Sequence, residues 1–215
     1  MCPRLLPFST SGVLLLLLLI GLTGSTWHKT DNLKKRLRIE QGSRLYLKGT
    51  SNVNKFTCDC ADQYPEQILE AKSAGGYVQF QKGSLHLKTK KFDCHNRKID
   101  ADMQKALDAD HFPTIKVALV DALQDIKCLH GGCKDWFDVK ANVLITIKET
   151  TNKEFLHAKV KIIAPDRLLV RGEKALQMST FGVNPPEALF GMIKVDDWIT
   201  FHFDLILTVE AVNHD

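Results

Sequence analysis

The sequence predicts an all-β domain, a mostly antiparallel sheet either closed into a barrel or folded as a sandwich. Three observations predict it. The first is a run near the C-terminus in which Val195, Ile199, Phe201, Phe203, Leu205, Leu207 and Val209 share one face, with only Asp197 interrupting. Thr200, His202, Asp204 and Thr208 alternate with them, and period-2 alternation of this length marks a strand with one apolar face. The second is the number of shorter runs of the same kind, joined by turn residues. The third is the scarcity of helical periodicity. With few helices to cover a sheet, closure is the way to remove its edges.

In chain order, the first element is an export signal. Arg4 supplies a positive start, Val13 to Ile20 is an unbroken apolar run, and small residues from Gly21 to Thr26 follow. Spanning a bilayer takes about 20 apolar residues, and this run is about half as long. Cleavage between Thr23 and Thr26 is therefore expected, with no stable membrane span afterwards. The domain organisation expected is a signal peptide over 1–25, a loose polar lead-in over 26–35, and one β-barrel domain over 36–215.

Within the domain, Arg36–Glu40 and Arg44–Lys48 flank Gln41-Gly42-Ser43, which reads as a tight turn. Strands follow at Val53–Cys60, at Tyr77–Gln81 and Ser84–Phe92 around Lys82-Gly83, and at Thr114–Leu123. In Val139–Lys148, Val139, Ala141, Val143, Ile145 and Ile147 share one face. In Phe155–Ile163, Leu156, Ala158, Val160 and Ile162 do so. Leu168–Leu176 is interrupted by Gly172, which reads as a bulge or bend. Two segments read as helix. Ile99–Ala109 places Met103, Ala106 and Leu107 at helical spacing, and Asn184–Gly191 has Pro at its entry and Gly at its exit.

A length of 215 residues fits one such domain, and 44% apolar with 25% charged residues is a globular balance. The net charge of +4 is mild. Lys34, Lys35, Arg36 and Arg38 form a basic cluster with only Trp27 and Tyr46 as nearby aromatics, so it reads as a solvated segment and not a nucleic-acid surface.

An exported chain meets oxidising conditions, where thiols close into disulfides. Cys128 and Cys133 bracket a short loop containing Gly131 and Gly132, which closes at low entropic cost. Cys128, His130 and Cys133 give too few ligands for a zinc site. Cys94 is the natural partner of either Cys58 or Cys60, and the other of these is left over. A left-over thiol is either buried and inert or joins two chains into a homodimer.

The sequence has no phosphate loop, no nucleophile elbow and no His-Glu-x-x-His run. It points to no catalytic residues, metal or cofactor, and so to a non-enzyme. Asp196-Asp197 and Asp100-x-Asp102 read as turn and helix-cap residues.

Three segments together resemble one known family. They are Leu47-Lys48-Gly49-Thr50-Ser51-Asn52-Val53-Asn54-Lys55-Phe56-Thr57-Cys58, then Phe92-Asp93-Cys94 with Asn96, Ile99, Asp102, Met103, Ala106 and Leu107 running on to His111-Phe112-Pro113, then Leu176 to Gly191 ending in Asp197 to Leu205. In order and spacing they resemble the YceI-like family, from about Arg44 to the C-terminus. The resemblance implies a lipocalin-like antiparallel β-barrel of about eight strands with one or two short helices, exported to the periplasm or secreted. It also implies a partner, a long-chain isoprenoid or similar apolar lipid held inside the barrel, and no catalytic residues. On that reading Phe56, Phe92, Phe112, Phe181, Phe190, Phe201, Phe203 and Leu205 are the candidate lining. The rival is a structural or interaction protein whose inward row is ordinary packed core.

Overall fold

The computed structural model describes residues 31–74, 76–124, 135–188 and 192–212. The expected signal peptide, the whole of the Cys128–Cys133 loop, and Phe190 lie outside the described residues. The strands are β1 (Asp31–Ile39), β2 (Arg44–Ser51), β3 (Lys55–Cys60), β4 (Gln67–Ala74), β5 (Tyr77–Lys82), β6 (Ser84–Lys88) and β7 (Phe92–Asp93). After the helix α1 (Arg97–Ala106) come β8 (Thr114–Gln124), β9 (Phe137–Ile147), β10 (Thr150–Ala164), β11 (Arg167–Gln177), β12 (Glu187–Ala188) and β13 (Ile193–Ala211). Short 3-10 turns occupy Thr89–Lys91 and Met178–Phe181.

The long alternating C-terminal run organises the sheet. One edge of β13 bonds β11 from Arg167↔Thr208 to Gln177↔Trp198. Its other edge is divided, with β2 on the first half and β1 on the second. Because β1 also pairs with β4, the path β1-β4-β5-β8-β9-β10-β11-β13 returns to its start as a ring of 8 strands. The fold is a closed, antiparallel barrel. At one end the wall divides. There β13 passes through β2 and β3 to β7, and β6 pairs with β8. The turn Thr89–Lys91 joins β6 to β7, and α1 follows.

Several expectations change. The lead-in is already strand from Asp31, and its basic residues are not loose: Lys34 faces Glu70 and Arg36 faces Glu66, at 3.7 and 2.7 Å. Gln41-Gly42-Ser43 and Lys82-Gly83 do not reverse the chain. Gly42 and Gly83, at φ 91° and 149°, kink it instead. Thus β1 and β2 lie end to end along β13, as β5 and β6 do along β8.

Gly172 is not a bulge. The ladder runs through it in register with Ala158 on one side and Phe203 on the other. A Cβ there would stand 2.4 Å from the Phe203 ring and 2.9 Å from the His157 carbonyl, so the glycine makes room for an aromatic ring. The Asn184–Gly191 helix is absent from its described part, where Glu187 and Ala188 pair with Lys194 and Ile193 as a small hairpin. Pro185 and Pro186 offer no N–H to a helix, and the Pro186 carbonyl accepts from Val195 N at 3.1 Å. Ile162 is exposed, where the β10–β11 register shifts.

The helix expected at Ile99 starts at Arg97, because the Asn96 side chain accepts from the N–H groups of Lys98 and Ile99. Asp100 instead accepts from Cys94 N at 2.7 Å. Asp197 is not a turn residue. It interrupts the inward row of β13 at a register shift and accepts from Ser179 N (2.7 Å) and Gln177 Nε2 (2.9 Å), fastening the 3-10 turn to the barrel.

Candidate functional site

Strand alternation decides which side chains meet inside the ring. From β13 these are Ile193, Val195, Ile199, Phe201, Phe203, Leu205 and Leu207. These residues are only half-buried, whereas Val143, which lines no chamber, is 0% exposed. The difference is that the row faces space, not packed side chains.

That space is two apolar chambers. The larger, about 320 Å³, lies within the ring and is walled by residues such as Leu37, Leu69, Phe80, Leu119, Val160 and Leu205. The smaller, about 250 Å³, lies under α1 at the divided end. Ile115, Leu176 and Phe201 line both, so the two adjoin through a shared wall. An apolar cavity of about 150 Å³ already accommodates benzene, so each chamber is large enough for several carbons of a chain.

The helix closes the smaller chamber. Ile99, Met103, Ala106 and Leu107 recur at helical spacing, pack against the core cluster and line the space. A disulfide fixes this cover to the barrel. Cys58 of β3 is bonded to Cys94, two residues before the Asn96 cap. Phe56, on the same strand, lies against Gly49, where a Cβ would stand 2.3 Å from the ring. Gly49 and Gly172 thus serve the same purpose in the two chambers, each giving a lining phenylalanine room to lie flat.

Phe56, Phe92 and Phe181 line the smaller chamber, Phe203 and Leu205 the larger, and Phe201 both. Phe112 is half-buried and lines neither. The lining also draws on residues that the sequence reading did not count as lining. Leu69 and Phe80 belong here, as do Ile99 and Met103. For Phe80, Ile99 and Met103 the signal was present as period-2 and helical spacing, but the chambers exist only once the ring closes.

The polar groups nearby are quiet. Cys60 is a free, half-buried thiol that accepts the Tyr64 hydroxyl at 3.1 Å. Burial pushes its pKa up, disfavouring the reactive thiolate. Burial likewise raises the Tyr64 phenol, and the Cys60 contact raises it further. His202, outside the barrel, stacks on Tyr46 with ring centres 4.8 Å apart. Burial, then the charge of Lys48, hold its pKa below the ordinary value. Among the described residues no group of three His, Cys, Asp or Glu could hold a metal, and no buried polar side chain lacks a partner. No helix among them is long and apolar enough to cross a membrane.

The fold is similar to that of known proteins. A polyisoprenoid binding domain from Saccharophagus degradans, implicated in plant cell wall breakdown, matches at TM-score 0.57 and 10% identity, over 83% of this chain and 98% of that one. Burkholderia cenocepacia BcnA matches at TM-score 0.54 and 10% identity, over 77% and 96%. No curated protein matches the chain. The model of the YceI-like domain matches residues 44–207, the span holding β2 to β11, α1 and most of β13, so the chain belongs to the YceI-like family.

Proposed function

We propose that the protein is an exported carrier that holds one long apolar lipid, such as a polyisoprenoid, inside its barrel, and that it is not an enzyme. The single observation that carries this reading is the pair of adjoining apolar chambers, lined along β13 by a row of residues that face inward yet remain only half-buried. Such a site suits a chain with almost no polar groups. Affinity then comes from buried area, about 2.5 kcal/mol for each 100 Å² of apolar surface removed from water. The polyisoprenoid binding named for the Saccharophagus degradans domain supports the choice of ligand. The apolar run Val13–Ile20, followed by small residues, supports export to the periplasm or beyond. The thiols support a binding role over thiol chemistry, since Cys58 and Cys94 are joined and Cys60 is half-buried.

The rival, a structural protein with a filled interior, has the wall against it: a filled interior would bury the β13 row. The test is native mass spectrometry of the full chain purified after export, followed by organic extraction. The reading expects a lipid adduct near one per chain and a mature N-terminus between Thr23 and Thr26 or just beyond. Absence of any adduct, together with no thermal shift on adding isoprenoids, would sink it.

A further inference from the structure

One feature of the barrel wall does not suit a pure hydrocarbon. On β11 the inward row is Leu168, Val170, Gly172, Lys174 and Leu176, and on β10 it is Asn152, Glu154, Leu156, Ala158 and Val160. Two charged residues therefore occupy positions that alternation assigns to the interior. They meet there, with Lys174 Nζ 2.6 Å from Glu154 Oε2. Their side chains are 22% and 23% exposed, and Lys174 forms part of the wall of the larger chamber.

Apart from Lys174, the polar residues bordering that chamber among the described residues are Gln67, Ser84 and His202, the last with a side chain that alternation turns outward. Ser84 is occupied with His86 at 3.1 Å, and His202 with Glu173 at 3.2 Å. Among the described residues, Lys174 is the one lysine or arginine in the wall.

Placing an ion pair in a wall of leucine and valine is costly. Two apolar side chains of similar size would hold the barrel together as well or better. A break in the alternation of both strands, at two residues that contact each other, is the kind of local exception that function imposes. The chemistry available is specific. An ammonium carries three N–H donors, and the Glu154 oxygen at 2.6 Å accepts one of them. The others remain for a ligand. The pair is neutral as a whole, because Glu154 cancels the charge of Lys174. An added anion would meet the Glu154 carboxylate as well as the ammonium, whereas an uncharged acceptor meets only a donor.

We infer that Lys174, held by Glu154, is a polar subsite inside the barrel that receives the neutral carbonyl oxygen of a lipid, such as a ketone, ester or amide, whose apolar chain fills the rest of the interior. This rests on the lipid-carrier reading and narrows its ligand class. Glu154 acts through Lys174 and is a positioning residue. The pair fixes where along the chambers the polar end of the ligand lies, which apolar walls alone leave undetermined.

The test uses three lipids of equal carbon number: a hydrocarbon, a methyl ketone and a carboxylate. Affinities are measured for the full mature chain and for the double variant Lys174→Met with Glu154→Leu. The double variant removes both charges together, so neither is left buried alone, and circular dichroism checks its fold. The ratio of hydrocarbon to ketone dissociation constants is expected to fall about tenfold or more in the double variant, as loss of a hydrogen bond to a charged donor requires. Hydrocarbon affinity is expected to be kept or raised, and in the wild-type chain the carboxylate is expected to bind less tightly than the ketone. An unchanged ratio in the folded double variant, or a wild-type preference for the carboxylate, overturns the inference while leaving the carrier reading intact. Failure of the wild-type chain to bind any of the three overturns both.

Discussion

At the scale of single residues, the interior is shaped as much by what is missing as by what is present. In the sequence Gly172 looks like a strand interruption, and Gly49 falls outside the expected strands. In the fold they are places where Phe203 and Phe56 lie against bare backbone. The sequence could not show this, because the glycine and its phenylalanine are 31 residues apart in one case and meet only across a ladder. Gly172→Ala is expected to cost about 1–3 kcal/mol through overpacking, measured by denaturant unfolding. Gly172→Ala combined with Phe203→Leu is expected to recover most of it, and a single variant as stable as wild type would contradict the assignment.

Two histidines illustrate opposite electrostatics on the outer face. His95 bonds Asp59 at 3.0 Å, and that bond, with the charge of Asp93, raises its pKa above the ordinary 6.5. Its contribution to stability is fully present below 6.5 and is lost as pH rises through the raised value. His202 has its pKa lowered, by burial first. Its neutral ring contributes above 6.5, and that contribution is lost as pH falls through the lowered value. Proton NMR titration is expected to place the two midpoints on opposite sides of 6.5, with Asp59→Asn returning His95 toward it. Coincident midpoints in the wild-type protein would contradict both environments.

At the scale of elements, what was legible followed local alternation. The strands β8 to β11 and β13 announce themselves through inward rows of branched and aromatic residues. By contrast, β4 reads Gln67-Ile68-Leu69-Glu70-Ala71-Lys72-Ser73-Ala74, a composition of good helix formers. Its strand state comes from pairing with β1 and β5, a tertiary effect that outweighs propensity. The helix cover was visible as periodicity, but its cap, Asn96, was not singled out. Neither was the Lys174–Glu154 pair, although each residue breaks the pattern of its own strand.

The cover depends on its covalent tie. The Cys58–Cys94 bond spans a sequence separation of 36, for which chain-entropy arguments give about 3 kcal/mol or somewhat more. Replacing both cysteines with alanine is expected to lower stability by about that amount in denaturant titrations. It is also expected to speed lipid release, because α1 is then anchored by packing alone. A variant with unchanged stability and unchanged release would show that the cover does not rely on the bond.

At the scale of the whole molecule, closure of the ring is what turns an amphipathic sheet into a container. The sequence left open whether the Phe201–Leu207 row meets side chains or space. The answer depends on β1 reaching β13, through pairs such as Ile39↔Leu207 and Lys35↔Ala211, and no local pattern reports such a contact. The proposed function makes one claim about the two chambers: a lipid chain is bound along its length in the interior. The most direct measurement is the dissociation constant for linear isoprenoid alcohols of increasing length, titrated into the delipidated full chain. The account predicts that affinity rises with each added unit, by up to about 0.8 kcal/mol for every methylene buried, and levels off once both chambers are full. Affinity that does not change with chain length, or no binding at any length, would contradict it.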